Sequence, residues 1–415
     1  MPFASLGLAP ALAQAAAEQG YTAPTPIQAD VVPAVLAGRD IQAQAPTGSG
    51  KTAAFALALL QQLHTAPVAT PRRAGALVLV PTRELAVQVG EVFTVLAQHL
   101  EPALKVSTVY GGVSINPQMM ALRGGTDLLV ATPGRLLDLV QHNAVRLGGV
   151  RSLVLDEADR LLDSGFADEL RAAIALLPRA RQNLLFSATF PPAVQALAQA
   201  MLKDPLRLTQ AAEPTADPAI EQHAVQVDAA RRTALLQHMI RSGGWTRTLV
   251  FVATRHATEH VANKLRTRGI ASAALHGELS QGARTQALVD FRNGRLQVLV
   301  ATDLAARGLD IVELPVVVNY DLARSPADHV HRIGRTGRAG ARGLAVSFVS
   351  AATEAHFRVI EKRQGQRVPR EQIAGFEPTE DAPTESATGG VKGRRKSKKD
   401  KLREAAAAAP ATRRS

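Results

Sequence analysis

The sequence predicts an α/β protein in which two parallel-sheet domains stand in tandem before a disordered basic tail. Three observations carry this. Short apolar, β-branched runs alternate with helical stretches over most of the chain, as expected of strands buried on both faces. One acidic, Pro-containing segment without apolar period interrupts the alternation near mid-chain. Finally, the composition turns to Pro, Gly, Ser, Lys and Arg from Thr379 onward, which cannot build a core.

In chain order, the first set of strands is ALVLV (76–80), DLLVA (127–131), SLVLD (152–156) and NLLFS (183–187). The second set is TLVFV (248–252), QVLVA (297–301), PVVVNY (315–320) and LAVSFV (344–349). Between them, stretches such as RELAVQVGEVFTVLAQHL and RHATEHVANKLRTRG are apolar at helical spacing. The segment QAAEPTADPAIEQ sets the junction, giving a first domain over 1–209, a linker over 210–222, a second domain over 223–367 and a tail over 368–415.

A chain of 415 residues is too long for one ordinary core, and 46% hydrophobic with 20% charged residues is a soluble globular composition. The apolar run AAFALALL (53–60) is far shorter than the ~18 residues of a membrane span. The N-terminus lacks the basic start of a secretory signal. The absence of cysteine excludes disulfides and thiolate metal sites, and a cytoplasmic protein is expected. Residues 388–415 hold ten Lys/Arg against Asp400 and Glu404, so this segment supplies +8 of the net +12. The expected partner is a polyanion, nucleic acid first, although a charge run can also serve only solubility.

Chemistry concentrates at strand ends. APTGSGKT (45–52) follows the strand-like RDIQAQ and precedes a helical stretch, the context of a phosphate loop. Gly48 and Gly50 let successive N–H groups around Thr47 and Ser49 face phosphate oxygens; Lys51 reaches the terminal phosphates, and Thr52 offers a hydroxyl to Mg²⁺. Ala45 departs from the strict pattern, and a Gly-rich turn before a helix is the alternative. At the end of SLVLD, Asp156 can hold Mg²⁺ through water and Glu157 can orient or deprotonate the attacking water. Alone, such an acidic cluster is more often a helix cap. HVHRIGRTGR (329–338) spaces Arg332, Arg335 and Arg338 by threes with no acid among them, which predicts unpaired guanidinium groups serving an anion bound elsewhere. A solvated basic turn is the alternative.

Asp156-Glu157-Ala158-Asp159 resembles the signature of the DEAD-box RNA helicases, and nearly the whole ordered chain is similar to that family, closest in outline to its bacterial RhlE-like group. GYTAPTPIQ resembles the family's Q motif, which implies that Gln28 reads the adenine edge with Phe3 as the upstream aromatic. The resemblance implies RNA contacts from Pro81, Thr82, Arg83, Gly111, Gly112, Thr132, Pro133, Gly134 and Arg135. Ser187-Ala188-Thr189 would link the ATP state to unwinding. In the second half it implies RNA contacts from Thr254, Arg255, Thr302, Arg307 and Gly308, a coupling role for Asp303 and a ribose contact from Asp310. Arg335 and Arg338 would be arginine fingers on the γ-phosphate, with His331 joining them to the acidic motif.

The resemblance therefore implies two RecA-like domains, ATP and Mg²⁺ as cofactors, and RNA as partner, with ribosomal or RNA-decay proteins as further candidates. Backbone N–H, Thr, Arg and Gly suit phosphate and 2′-OH recognition more than base reading. Trp245 and few Tyr or Phe supply no stacking platform of the single-strand DNA kind. His329 is expected to pack. Three functions follow: an ATP-dependent RNA helicase, an ATP-gated RNA clamp or annealing factor, and a DNA helicase of the same superfamily.

Overall fold

The computed structural model describes residues 2–46, 48–67, 70–163, 166–210, 220–306, 314–337 and 342–380. Two seven-stranded sheets, parallel at every pairing, account for the alternating apolar runs. The first comprises β1 (Ile41–Gln44), β2 (Ala76–Leu79), β3 (Val106–Val109), β4 (Leu128–Ala131), β5 (Ser152–Leu155), β6 (Gln182–Ser187) and β7 (Leu206–Thr209). The second comprises β8 (Ile220–Gln226), β9 (Thr248–Phe251), β10 (Ser272–Leu275), β11 (Val298–Ala301), β12 (Val316–Asn319), β13 (Gly343–Val349) and β14 (Arg370–Glu371). The orders are β3-β4-β2-β5-β6-β1-β7 and β10-β11-β9-β12-β13-β8-β14. This is the tandem RecA-like architecture.

The central strands β2, β4, β5, β9, β11 and β12 are buried at every residue, because helices cover both faces of each sheet. The apolar run AAFALALL lies in the helix Lys51–Thr65, within the first core, where Phe55 packs on Phe93 and Phe186 at 6.0 and 5.3 Å between ring centroids. No helix among the described residues is long and apolar enough to cross a membrane. Helices that follow strands start on hydroxyl caps: Thr82, Thr254 and Ser325 each accept a hydrogen bond from a backbone N–H three residues on.

Two expected boundaries move. The second sheet begins at Ile220, inside the segment read as linker, because β8 pairs with β13 along its whole length; residues 211–219 lie outside the described residues. The second domain does not end at 367. Arg370–Glu371 adds a strand to β8, Ile373 and Phe376 pack on the core, and Thr379 and Glu380 donate backbone hydrogen bonds to Asp228 at 2.9 and 3.2 Å. Sparse apolar residues and specific hydrogen bonds hold this strap, so no helical or strand period announces it. The basic segment 381–415 lies outside the described residues.

Candidate active site and nucleic-acid groove

The phosphate loop and the segments around Thr82, Gly111, Thr132, Asp156 and Thr302 follow the C-terminal ends of strands, where parallel sheets present ligands. After β1, Gly48 and Gly50 take φ values of 87° and 90°, a region open to glycine, and the chain then enters the helix at Lys51. A Cβ on Gly50 would lie 2.5 Å from Gln28 Nε2. Gln28 is buried: its Oε1 accepts from the Thr25 N–H at 2.9 Å, and its Nε2 donates to the Gly50 carbonyl at 3.2 Å. Thr25 Oγ1 donates to the Ser49 carbonyl at 3.0 Å. The Q-like segment is thus a brace for the phosphate loop, with one amide N–H of Gln28 left for a ligand. Phe3 is 5% exposed and packs behind Tyr21, with ring centroids 6.4 Å apart. Tyr21, not singled out in the sequence, fronts a cavity of about 430 Å³ together with Thr52. Thr47 lies outside the described residues.

Lys51 Nζ donates to the carbonyls of Ala45 and Pro46 at 2.6 and 2.7 Å. Burial pushes its pKa down, while Asp156 and Glu157 oppose that. Asp156 directly follows β5 and is 3% exposed; burial raises its pKa to about 6 against the pull of Lys51. A buried carboxylate so poorly compensated suits a divalent cation. One carboxylate beside a threonine hydroxyl and a phosphate loop is a donor set for Mg²⁺, which keeps waters and phosphate oxygens rather than a protein cage. Among the described residues no cluster of three or more His, Cys, Asp or Glu offers such a cage.

Glu157 takes φ 52°, an unusual conformation for a side chain with Cβ, and pairs with Arg160 at 2.8 Å. Asp159 Oδ2 accepts from Thr189 Oγ1 at 2.7 Å and from the Thr189 N–H at 3.1 Å. Ser187 Oγ accepts from the Asp159 N–H and donates to the Thr189 carbonyl. The SAT segment is therefore wired to the acidic motif, with Ala188 between its two polar residues.

The arginine segment folds as the helix Pro326–Ile333 and the turn after it. His331, Arg332 and Arg335 line a small gap with Arg160 of the first half. Burial pushes the His331 pKa down, with Arg160 and Arg335 adding and Asp159 and Glu157 opposing. These charges place the second half's His331 and Arg335 against the acidic motif. Arg338 lies outside the described residues. Arg332 corrects the expectation of three unpaired arginines: it is 2% exposed and bidentate to Asp303 at 2.5 and 2.7 Å. It also donates to the Asp321 carbonyl at 2.6 Å. The segment itself holds no acid, and the fold brings one from the helical turn that follows β11. Asp303 is accordingly bound within its own half. His329 packs as expected, fully buried, edge-on to Phe357, with its pKa pushed down to about 4 by burial.

A second opening of about 460 Å³ joins the halves, lined by Pro81, Thr82, Arg83, Gly111, Gly112, Thr132, Gly134 and Arg135 on one side. Gly277, Arg284, Leu304 and Ala305 line the other. Arg135 is 7% exposed, with Nη2 on the Val113 carbonyl and no hydrogen bond on Nε or Nη1 among the described residues. Pro133 starts the following helix. Elsewhere, Thr302 Oγ1 accepts from the Ala305 N–H, Thr254 caps the helix Arg255–Arg266, and Arg255 pairs with Glu278; none of these three lines the opening. Arg307, Gly308 and Asp310 lie outside the described residues. Sequence reasoning missed the contact that spans the groove. Glu84 accepts from Arg83 Nε at 2.7 Å and lies 2.6 Å from Arg284 Nε of the second half. Glu84 sat inside PTRELA; Arg284 carried no local signal.

Residues 25–197 match the family model described as DEAD/DEAH box helicase, and residues 231–340 match the helicase conserved C-terminal domain. The ATP-dependent RNA helicase DbpA of Escherichia coli is 46% identical over 331 residues, covering 80% of this chain and 71% of DbpA. The chain belongs to the DEAD-box RNA helicase family. The ATP-dependent RNA helicase DeaD of Mycobacterium tuberculosis is 41% identical over 90% of this DEAD-box chain, which spans 65% of DeaD's length. Among solved structures, S. cerevisiae Dbp5 bound to RNA and ADP BeF3 aligns with a TM-score of 0.77 at 32% identity, over 91% of this chain and 95% of Dbp5. None of these relatives distinguishes a subgroup within the family.

Proposed function

We propose that the chain hydrolyses ATP in response to RNA and uses the closure of its two halves to separate short duplexes locally. The observation that supports this best is the docking of His331 and Arg335 against the Asp156–Arg160 segment, which makes the site composite. The phosphate-loop N–H groups and Lys51 hold the triphosphate, Glu157 orients the attacking water, and Arg335 with Arg338 balances charge at the γ-phosphate. Mg²⁺, when bound by Asp156 and Thr52, supplies Lewis-acid neutralisation of phosphate charge. RNA joins the two halves along the groove of Pro81–Arg83, Gly111–Gly112 and Thr132–Arg135, with Thr254, Arg255, Thr302, Arg307 and Gly308 as second-half contacts. The Asp159–Ser187–Thr189 wiring transmits the nucleotide state, and Asp303 holds Arg332 in register beside the fingers. Gln28, Phe3 and Asp310 complete the nucleotide pocket. In the cell, RNA metabolism in the cytoplasm is the setting this reading implies.

The test is strand separation of a short RNA duplex with ATP, without ATP, and with a matched DNA duplex. Separation of RNA only, dependent on ATP, is expected. ATP-dependent binding or annealing without separation would make the protein a clamp, and equal work on DNA would remove the RNA assignment.

A further inference from the structure

A second basic surface lies at the opposite pole of the first sheet, away from every loop discussed so far. Arg72 and Arg73 precede β2, Lys105 precedes β3, and Arg151 precedes β5, so all four sit at N-terminal strand ends. The site is built by close backbone packing. A Cβ on Gly125 would lie 2.1 Å from the Arg72 carbonyl oxygen, and one on Gly149 would lie 3.0 Å from Arg73 Cβ. At Gly125, where φ is 82°, only glycine lets the turn close on the Arg72 carbonyl, and Gly149 packs tightly on Arg73. The result is a cavity of about 350 Å³ lined by Arg72, Arg73, Arg146, Asn143 and Thr126, among others, with no acid in its lining.

Charge in and around this cavity is left uncompensated, with Arg73 and Arg146 in its lining and Arg123 and Arg151 outside it. Arg72 pairs with Asp127 at 2.8 Å, and Asp127 also accepts the Lys105 N–H at 2.7 Å, so the nearest acid is already engaged. The guanidinium groups of Arg73, Arg123, Arg146 and Arg151 make no hydrogen bond or ion pair among the described residues, and all four residues are exposed. Planar, weakly hydrated guanidinium groups match phosphate oxygens bidentately. The lining offers no exposed aromatic or large apolar anchor of the kind that centres a protein interface.

We propose that this pole is a second RNA-binding surface, gripping the phosphates of RNA that extends beyond the cleft. It carries no base-reading group, so it tethers long RNA without sequence preference. The same helices and strands separate it from the cleft, so it adds to affinity without entering the ATP site.

The test uses the full chain and the triple variant Arg73→Ala/Arg146→Ala/Arg151→Ala. Binding is measured across a salt series for a short RNA that only fills the cleft and for the same RNA with a long single-stranded extension. The short RNA reports the cleft alone, so failure of the proposed function shows there, independently of the pole. We expect unchanged short-RNA binding in the variant and loss of the gain that the extension gives. The log–log salt slope on long RNA should flatten by roughly 2, at about 0.7 for each of three phosphate contacts. Arg146→Glu, a single exposed substitution, should move the same readout in the same direction. Long-RNA binding identical to wild type overturns the proposal, as does equal loss on short RNA. Polyglutamate serves as the probe for an acidic protein. If it binds wild type and not the variant while long-RNA binding is unchanged, the pole is a protein-docking surface and the proposal fails.

Discussion

Replacing Arg284 with methionine removes a buried charge pair that spans the groove. Arg284 and Glu84 have side chains only 3% and 9% exposed, with Nε and Oε1 2.6 Å apart. Burial pushes the Arg284 pKa down while Glu84 opposes it, so the carboxylate compensates the desolvated guanidinium. Methionine keeps the stem volume and removes the charge, and Glu84 retains Arg83 at 2.7 Å, so the first half is left without an orphaned carboxylate. What is lost across the groove is a buried ion pair that exists only when the halves are together, worth ~1.5–3 kcal/mol, along with one hydrogen bond from Arg284 Nη2 to the Ala305 carbonyl within the second half. Closure should weaken by roughly 10- to 150-fold. The assay is steady-state ATP hydrolysis titrated with RNA: the RNA concentration for half-maximal stimulation should rise by that factor, with the melting midpoint of the protein little changed. Unaltered RNA dependence would refute the reasoning that this pair clasps the halves.

Other outcomes follow from the same geometry. Asp156 has a folded pKa of about 6 against an ordinary 3.8, so the folded state holds its proton more tightly over that window. Stability is therefore highest below the unfolded value and falls by about 3 kcal/mol as pH rises through 6. Asp156→Asn should raise the melting midpoint near neutral pH, leave it unchanged in acid, and abolish hydrolysis; equal midpoints near neutrality would contradict the account. Arg332→Met should lower stability by ~3–5 kcal/mol in denaturant titration, because it strands Asp303. Arg335→Lys keeps a cation but loses the guanidinium fork and should remove RNA-stimulated hydrolysis while RNA binding persists; stimulated hydrolysis that survives would count against its assigned role. Thr189→Val strips one of the two hydrogen bonds that Thr189 donates to Asp159 and should lower strand separation per ATP hydrolysed more than it lowers hydrolysis, with the ratio of the two rates as the measure.

Much of this was legible because buried parallel strands are continuous apolar runs. ALVLV, DLLVA, SLVLD and QVLVA announce β2, β4, β5 and β11 without help from tertiary structure. The strands that escaped are those whose burial depends on position. VSTV at β3 and LRLT at β7 lie at sheet edges, and SAAL at β10 is too alanine-rich to distinguish from helix. IEQHAVQ at β8 is polar on one side, so its first three residues read as linker. Site residues were legible where the chemistry is local, as in the phosphate loop and Asp156-Glu157. Pairings across long sequence separations were not. Nothing near Arg332 in the sequence names Asp303, and nothing near Arg284 names Glu84. Phe3 is an aromatic visible in the sequence, and only the fold shows that its ring packs against Tyr21.

The central claim is a site completed only when the second half brings Arg335 to the acidic motif. Its most direct test is ATP hydrolysis by wild type, Lys51→Ala and Arg335→Ala, each without nucleic acid, with RNA and with matched DNA. Strong stimulation by RNA alone, lost in both variants, is the predicted result. Wild-type hydrolysis that is as fast without RNA, or that survives Arg335→Ala, would contradict it.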